Sequence, residues 1–342
     1  MEDKIQAIID RMIDNKNCFG LVMSIKKGDD LNTYSAGNFK NDDYYFIAST
    51  TKLFITAIIL ELEENNKLNI DDKISKYLDS SILQKLHIFK KKDYSDLITI
   101  KDLLSHTSGL PDYFEGKNKG EKSILENLQN NIDSSWTFED TINIAKKMKP
   151  KFAPNPKKAS YSDTNFQLLG KIIENVLECT IEDAINSKII QKLNLATSYL
   201  YSDVLDQRPH KLCFKEITLD IPQSMTSFKA DGGMVSTSSD MIVFLEAFFQ
   251  GKLFSEKTLK NLYIWNRIMF PLEYGIGVMR FSMPRILSPS FKSLELIGHS
   301  GLSGSFAFYN PNNNIYLAGT VNQISNPGQS FRLMMKVLNE LV

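Results

Sequence analysis

The sequence of 342 residues predicts an α+β protein, in which helices flank an antiparallel sheet and a helical segment is inserted between its two sheet-forming parts. Strand patterns occur near residues 20–37 and return after about residue 220, whereas helical patterns dominate the stretch between them. Neighbouring strands joined by short turns pair in antiparallel fashion. We therefore assign 1–65 and 201–342 to a sheet subdomain, and 66–200 to a helical subdomain, of a single domain.

The N-terminal elements follow from periodicity and turn residues. Residues 4–15 predict a surface helix, because their apolar side chains recur on one stripe. Residues 20–25 form an apolar strand, and Gly28-Asp29-Asp30 is a turn sequence. Residues 32–37 then return as a second strand, so the segment predicts a β-hairpin.

A buried helix follows the hairpin. Residues 53–60 are apolar on every side, which is typical of a helix enclosed in a core. Ser49 falls at its N-terminus, and Lys52 lies one turn later on the same face. A buried ammonium is costly, but beside a serine hydroxyl it can take or hold the serine proton. Ser24 and Lys27 have the same spacing, but in a strand side chains three apart point to opposite faces.

The remaining patterns alternate between helix and strand. A capping box at Thr99 precedes Leu103 and Leu104, and Gly109 is predicted to end that helix. Other segments carry clear helix, strand or turn signals: a helix over 167–179, strands over 274–278, 294–297, 305–310 and 315–322, a turn over 311–314 and a helix over 331–341.

Composition excludes several function classes. Lys and Arg together number 40, as do Asp and Glu, so the net charge gives no reason to expect nucleic acid or an anionic membrane as a partner. The scattered Cys18, Cys179 and Cys213 have no metal-ligand spacing and predict reduced thiols. We find no signal peptide and no apolar stretch of membrane-spanning length. These features predict a cytoplasmic protein without a metal or cofactor, and they leave its oligomeric state open.

Further motifs accompany Ser49-Thr50-Thr51-Lys52. They are Tyr161-Ser162-Asp163-Thr164-Asn165, Gly298-His299-Ser300-Gly301, Leu104-Ser105-His106-Thr107-Ser108-Gly109, Asp231-Gly232-Gly233 and Tyr274-Gly275-Ile276-Gly277. In this order the set resembles the serine β-lactamase and penicillin-binding protein superfamily, and within it the branch of class C β-lactamases, esterases and D-peptidases. The resemblance covers the chain from about residue 20 onward and implies a β-lactamase/transpeptidase-like fold.

The resemblance also implies roles for individual residues. Ser49 would attack a carbonyl group and become an acyl-enzyme, while Lys52 and Tyr161 would share the transfer of its proton. A phenol with its ordinary pKa is a poor base, so we expect the charge of Lys52 to lower the pKa of Tyr161. The backbone N–H groups of Ser49 and Leu302 would form the oxyanion hole.

The substrate-binding set implied by the resemblance is Asp163, His299, Ser300 and Gly301. Two of these depart from the common pattern of that superfamily. Asp163 stands where the usual residue is Asn, and a carboxylate accepts hydrogen bonds but cannot donate them. His299 replaces a lysine, so its grip on a substrate carboxylate would weaken as the imidazole loses its proton. His106 is expected to hold a helix end and its loop in place, outside the chemistry.

The sequence supports hydrolysis over its rivals. There is no Gly-x-Ser-x-Gly, no P-loop and no His-Glu-x-x-His pattern. A sensor domain that is acylated without turnover is the alternative of another class. Among substrates, an ester or amide is favoured, including D-amino-acid peptides, with weak or no β-lactamase activity. A penicillin-recognising D-alanyl-D-alanine peptidase or a β-lactamase is the alternative within the enzyme class. Residues 111–158 are expected to shape the pocket.

Overall fold

The structure is a computed structural model that describes residues 2–118, 120–283 and 294–342. Its strands are, in chain order, β1 (Gly20–Lys27), β2 (Asp30–Gly37), β3 (Tyr44–Phe46), β4 (Ile88–Phe89), β5 (Lys92–Asp93), β6 (Tyr199–Leu200), β7 (Pro209–His210), β8 (Cys213–Phe214), β9 (Ile217–Thr218), β10 (Met234–Ser236), β11 (Asn266–Met269), β12 (Leu272–Tyr274), β13 (Met279–Met283), β14 (Leu294–Ser300), β15 (Ser305–Asn310) and β16 (Ile315–Thr320).

The helices flank and connect these strands. They are α1 (Glu2–Asp10), α2 (Thr51–Glu64), α3 (Ser80–Leu83), α4 (Ile100–Leu104), α5 (Ile124–Gln129), α6 (Phe138–Lys147), α7 (Asp163–Leu177), α8 (Ile181–Ile185), α9 (Gln191–Leu193), α10 (Pro222–Ser227), α11 (Ser238–Phe249), α12 (Glu256–Asn261) and α13 (Gly328–Leu341). Short 3₁₀ turns occur at Ala48–Thr50, Ile74–Lys76, Ser95–Leu97 and Lys229–Asp231, and a π turn at Asn186–Ile190 joins α8 to α9.

The main sheet has the strand order β11-β12-β13-β14-β15-β16-β1-β2, with every pair antiparallel. Strand β1 lies between β2 and β16, so the two ends of the chain form adjacent strands. The residues from α3 to α9 are mainly helical and separate these sheet-forming parts. The α+β class, the antiparallel sheet and its helical insert are thus confirmed.

Each face of the main sheet is covered by helices. Along β1, Leu21 and Met23 point to a core completed by α1 and α13, whereas Val22 points to the core that contains α2, α7 and α11. This alternation follows from the period of two in a strand. Helix α2 is enclosed on all sides, and the predicted run 53–60 is entirely buried.

Helices α1 and α4 end earlier than predicted, and the helix predicted over 167–179 spans Asp163–Leu177. Helix α1 ends at Asp10, because the carboxylate of Asp14 accepts the backbone N–H groups of the next residues and holds a loop there. Helix α4 ends at Leu104, although its predicted capping box at Thr99 is present. Gly109 has φ +76° and lies against the carbonyl of Phe152, where an added Cβ would be 2.1 Å from that oxygen.

The predicted strand over 274–278 is instead the last residue of β12 followed by a turn. Strand β12 ends at Tyr274 and β13 begins at Met279, and the N–H of Gly275 bonds to the carbonyl of Val278 at 2.8 Å. Gly277 has φ +72°, a conformation that favours glycine. In the part of the chain that the structure describes, no helix is both long enough and apolar enough to span a membrane.

Candidate active site

Ser49 lies in the 3₁₀ turn that leads into α2. The turn follows β3 directly, and the N–H of Ile47 bonds to the carbonyl of Met234 at 3.0 Å, which ties the turn to β10. The Thr50 hydroxyl donates to the carbonyl of Ile47 at 2.7 Å. Ser49 therefore sits at the start of a rigid buried helix, where the backbone N–H groups lack helical partners.

Lys52 is fully buried and contacts three oxygens. Its ammonium donates to the Ser49 hydroxyl at 3.0 Å and to the backbone carbonyl of Asp231, and it forms an ion pair with Oδ1 of Asp163 at 2.6 Å. The nitrogen also lies 5.2 Å from the centre of the Tyr161 ring. These neighbours compensate a charge that could not otherwise be buried.

Tyr161 lies just before α7 and lines the pocket together with Ser49. Burial, and then the charge of Asp163, hold the pKa of Tyr161 well above its ordinary value. The expectation that Lys52 would lower the pKa of Tyr161 is wrong, because Asp163 offsets the ammonium at this point. At neutral pH the phenol is protonated, and it can pass a proton on only as it receives another.

His106 holds the segment that carries Tyr161. Its Nδ1 accepts the backbone N–H of Ser162 at 3.1 Å, and the side-chain amide of Asn165 lies 3.0 Å from the same nitrogen. The imidazole also packs against the Tyr161 ring, with the ring centres 4.3 Å apart. Burial lowers the pKa of His106 well below its ordinary value. The contacts fit the structural role predicted for this residue.

Three further carboxylates surround the pair formed by Lys52 and Asp163. Asp231 accepts from the Tyr113 hydroxyl at 2.8 Å, and burial followed by repulsion from Asp163 raises the pKa of its carboxyl. Asp112 accepts the N–H of Asp163 at 3.3 Å, and the same two causes raise its pKa to about 8. Burial, and again Asp163, raise the pKa of Glu115. The site is thus rich in acidic groups around a single ammonium.

His299 does not face the pocket, which corrects its predicted role as a cation for a substrate carboxylate. Its Nδ1 lies 2.7 Å from the carbonyl of Ser300 and must donate to it, so Nε2 accepts from the Tyr274 hydroxyl at 2.9 Å. The residue is fully buried. Burial, with a contribution from Lys52, lowers the pKa of His299 to about 3, so the imidazole is neutral near pH 7.

The two predicted oxyanion donors lie on the same pocket. Ser49 and Leu302 both line it, as do Ser300 and Gly301. Within the described residues, the N–H groups of Ser49 and Leu302 have no hydrogen-bond acceptor in the protein. Unpaired backbone donors at a pocket wall are what an oxyanion hole requires.

The turn that carries Leu302 is fastened to the turn that carries Ser49. The Ser303 hydroxyl donates to the carbonyl of Phe46 at 3.0 Å, and the Ser305 hydroxyl donates to that of Ile47 at 2.6 Å. A Cβ at Gly301 would lie 2.3 Å from the Ser305 hydroxyl and 2.9 Å from the Ala48 side chain. Neither serine could be predicted from the sequence, since nothing in their local pattern shows a bond to residues more than 250 positions away.

The pocket has a volume of about 610 Å³ and is mostly apolar. The predicted shaping segment supplies Phe114, Glu115, Leu125 and Leu128. Other walls come from α10, the main sheet and α13, and they include the methionines Met225, Met269, Met279, Met283 and Met335. Of the residues that the structure describes, the ionisable ones with acidic or basic side chains on its lining are Glu115, Asp163, Asp231 and, on α13, Arg332. Among the described residues, no cluster of His, Cys, Asp and Glu is arranged to hold a metal ion.

Comparison with known proteins places this site in a family. A family model described as Beta-lactamase matches residues 5–333. A protein named as a penicillin-binding protein, PbpX, of Bacillus subtilis (strain 168) is 25% identical over 82% of this chain. The teichoic acid D-alanine hydrolase of Staphylococcus aureus is 27% identical over 75% of it. The chain spans 65% and 59% of the lengths of these two relatives, respectively.

A solved structure extends the likeness to the whole fold. The D-amino acid amidase of Ochrobactrum anthropi SV3, complexed with L-phenylalanine, superimposes with a TM-score of 0.81 at 20% identity. The match covers 100% of this chain and 99% of the amidase chain. The resemblance drawn from the motifs is therefore confirmed. With a family model spanning nearly its full length, this chain belongs to the β-lactamase family.

Proposed function

We propose that this protein is a serine hydrolase that cleaves an ester or amide through an acyl-enzyme on Ser49. One observation carries the proposal: the Ser49 hydroxyl accepts a hydrogen bond from a buried ammonium, at 3.0 Å, on the wall of a large apolar pocket. A structural serine needs neither a buried lysine nor a cavity. The combination favours a nucleophile held ready for attack.

In the first step, Oγ of Ser49 attacks the substrate carbonyl and a tetrahedral intermediate forms. The negative charge on the carbonyl oxygen is taken up by the N–H groups of Ser49 and Leu302. The neutral phenol of Tyr161 accepts the proton of Ser49 while donating its own proton to the leaving group. The bond to the leaving group then breaks, and an ester on Ser49 remains. Lys52 remains an ammonium and stabilises the charge that develops on Oγ and on the phenol oxygen.

The substrate we propose has an apolar acyl group that is neutral or carries a cation. The pocket walls are apolar, and the carboxylate of Asp163 supplies negative charge beside Lys52. A substrate carboxylate near Ser49 would be repelled, because His299 is neutral and buried and offers no counter-charge. Amides of apolar D-amino acids, the class named for the similar amidase structure, satisfy both conditions.

Covalent labelling tests the nucleophile. A fluorophosphonate probe should add one label per chain, and peptide mass analysis should place it on Ser49. Ser49→Ala should remain unlabelled, while its circular dichroism and melting temperature match those of the wild type. A label that persists in Ser49→Ala would remove Ser49 from the mechanism.

Turnover of a matched substrate panel tests the substrate class. We expect faster hydrolysis of neutral chromogenic esters and of D-phenylalanine p-nitroanilide than of a chromogenic cephalosporin. A sensor domain would give one label and no turnover on any member of the panel. Preference for the carboxylated cephalosporin would contradict the substrate class but leave the nucleophile intact.

A cytoplasmic location is part of the proposal and comes from the sequence analysis. Fractionation of the source cells should recover the protein with cytosolic markers. Recovery from the cell envelope would instead favour a cell-wall substrate, such as a D-alanyl ester or a peptidoglycan peptide. Size-exclusion chromatography with light scattering would determine the oligomeric state, which the sequence analysis left open.

A further inference from the structure

We propose that the carboxylate of Asp163 is the general base for the water that hydrolyses the Ser49 acyl-enzyme, an inference that rests on the proposed hydrolase function. Asp163 is the first residue of α7, only 8% exposed, and it lines the same pocket as Ser49. A carboxylate can accept a proton from water, which an amide at this position could not do.

The two oxygens of this carboxylate are differently placed. Oδ1 forms the ion pair with Lys52 at 2.6 Å, which fixes the orientation of the side chain. Oδ2 has no hydrogen-bond partner within the described residues, although the side chain lines the pocket. Asp163 and the Ser49 hydroxyl contact the same nitrogen of Lys52. This shared contact brings the carboxylate close to Ser49, and the proposed step requires a water on Oδ2 that faces the carbonyl carbon of an acyl group on Ser49.

The other candidate bases are occupied or protonated. Lys52 is surrounded by three oxygens and is an ammonium without a free lone pair. Tyr161 is a neutral phenol because burial holds its pKa high. Asp231 accepts from Tyr113 and Gln167 through Oδ2, while its Oδ1 is buried away from solvent; the carboxyl of Asp112 accepts backbone N–H groups. Glu115 also lines the pocket, but among the described residues no ion pair or hydrogen bond joins it to Lys52.

The proton balance of this step closes without an added reactant. Water attacks the acyl carbon and gives one proton to Oδ2 of Asp163, and the resulting oxyanion lies at the N–H groups of Ser49 and Leu302. The bond from the acyl carbon to Oγ then breaks. Oγ takes a proton from the ammonium of Lys52, and Lys52 recovers one from Asp163. The products are a free acid and a regenerated Ser49 hydroxyl, Lys52 ammonium and Asp163 carboxylate.

The test separates acylation from deacylation in Asp163→Asn. With an active chromogenic ester in stopped flow, this variant should give a burst of about one product per chain, followed by a slow steady rate. A general base contributes about a hundredfold to ten-thousandfold, so the steady rate should fall by at least about a hundredfold. Intact-mass analysis during turnover should show the acyl-enzyme, which should not accumulate in the wild type.

Glu115→Gln is the matched control, because it removes one negative charge from the same pocket. Glu115→Gln should keep the wild-type ratio of the deacylation rate to the acylation rate. A burst as large as that of Asp163→Asn would mean that the loss of a negative charge alone explains the effect. In Asp163→Ala, formate should speed the slow second step. The proposal would be overturned if the rates of acylation and deacylation fell by the same factor in Asp163→Asn and in Asp163→Ala, and if formate did not speed deacylation in Asp163→Ala. Absence of label and turnover in the wild type would instead contradict the hydrolase function itself.

Discussion

At the scale of single residues, the charge of each group depends on neighbours that are remote in sequence. Asp163 is the decisive example, since it pairs with Lys52 and contributes to raising the pKa values of Tyr161, Asp112, Asp231 and Glu115. The sequence identified Asp163 as unusual. Its effect on Tyr161 became visible only when both groups were placed around the same ammonium.

Lys52 and Tyr161 should behave as one unit in catalysis. Lys52→Ala and Tyr161→Phe should each reduce kcat/KM by about a hundredfold or more, the usual scale for acid–base groups. Because Lys52 stabilises the charge on Oγ of Ser49 while Tyr161 relays its proton in the same step, the double variant should lose much less kcat/KM than the product of the two effects. Steady-state kinetics of the three variants would measure the coupling, and independent, multiplicative losses would contradict a shared step.

Burial of His299 should make stability sensitive to acid. Its pKa is about 3 in the folded protein, whereas an unfolded histidine titrates near 6.5. Between pH 7 and 5 the unfolded chain therefore gains a proton that the native site does not bind, so stability falls as pH falls. The linkage amounts to about 2 kcal/mol for one such group. Urea unfolding at pH 7 and pH 5 should show that the free energy of unfolding falls less in His299→Gln than in the wild type. An equal fall in the two proteins would mean that the native His299 is accessible to protons.

At the scale of elements, the site depends on two turns held against each other. The 3₁₀ turn at Ala48–Thr50 carries Ser49, and the turn between β14 and β15 carries Leu302. Ser303 and Ser305 join them through hydroxyl bonds to the carbonyls of Phe46 and Ile47. The separation of the two N–H groups is thus determined by contacts between the turns rather than by either turn alone.

Gly301→Ala should disturb this contact. Its added Cβ would meet the Ser305 hydroxyl at 2.3 Å and the Ala48 side chain at 2.9 Å, so the two turns must move apart. Removing one oxyanion donor costs roughly a hundredfold to a thousandfold in kcat, which sets the scale of the expected loss. Gly328→Ala is the control, because it also lines the pocket but its nearest contact is 3.6 Å away. Equal kcat in the two variants would show that the turns tolerate displacement.

At the scale of the whole molecule, the sheet and the helical segment share one core. The buried helix α2 packs against α7 and α8 from the segment 66–200, and its cluster also includes side chains of α11 and of the main sheet. Neither part could bury its apolar surface without the other. The assignment of two subdomains remains a prediction, and the shared core favours a single cooperative unit.

Calorimetry of the full chain should therefore show one unfolding transition, with equal calorimetric and van't Hoff enthalpies. The fragment 66–200 expressed alone should lack a cooperative transition, because the apolar side chains of α7 would lose the core that they share with α2. Two separable transitions, or a folded fragment, would establish independent domains.

The sequence by itself determined the α+β class, the buried helix that begins after Ser49, and the β-lactamase family. Each of these depends on local periodicity or on motif order, which a linear chain displays directly. It also identified the motif residues, although their catalytic roles still await the experiments above.

Only the tertiary structure decided the protonation of Tyr161 and His299. Both expectations were wrong because a pKa depends on burial and on charges brought near by folding, and neither can be read from neighbours in sequence. The hydrogen bonds from Ser303 and Ser305 to the carbonyls of Phe46 and Ile47 likewise cannot be read from neighbours in sequence. The chemistry of this pocket is therefore set by long-range contacts: one buried ammonium is enclosed by oxygens from the 3₁₀ turn before α2, from α7 and from the turn before β10.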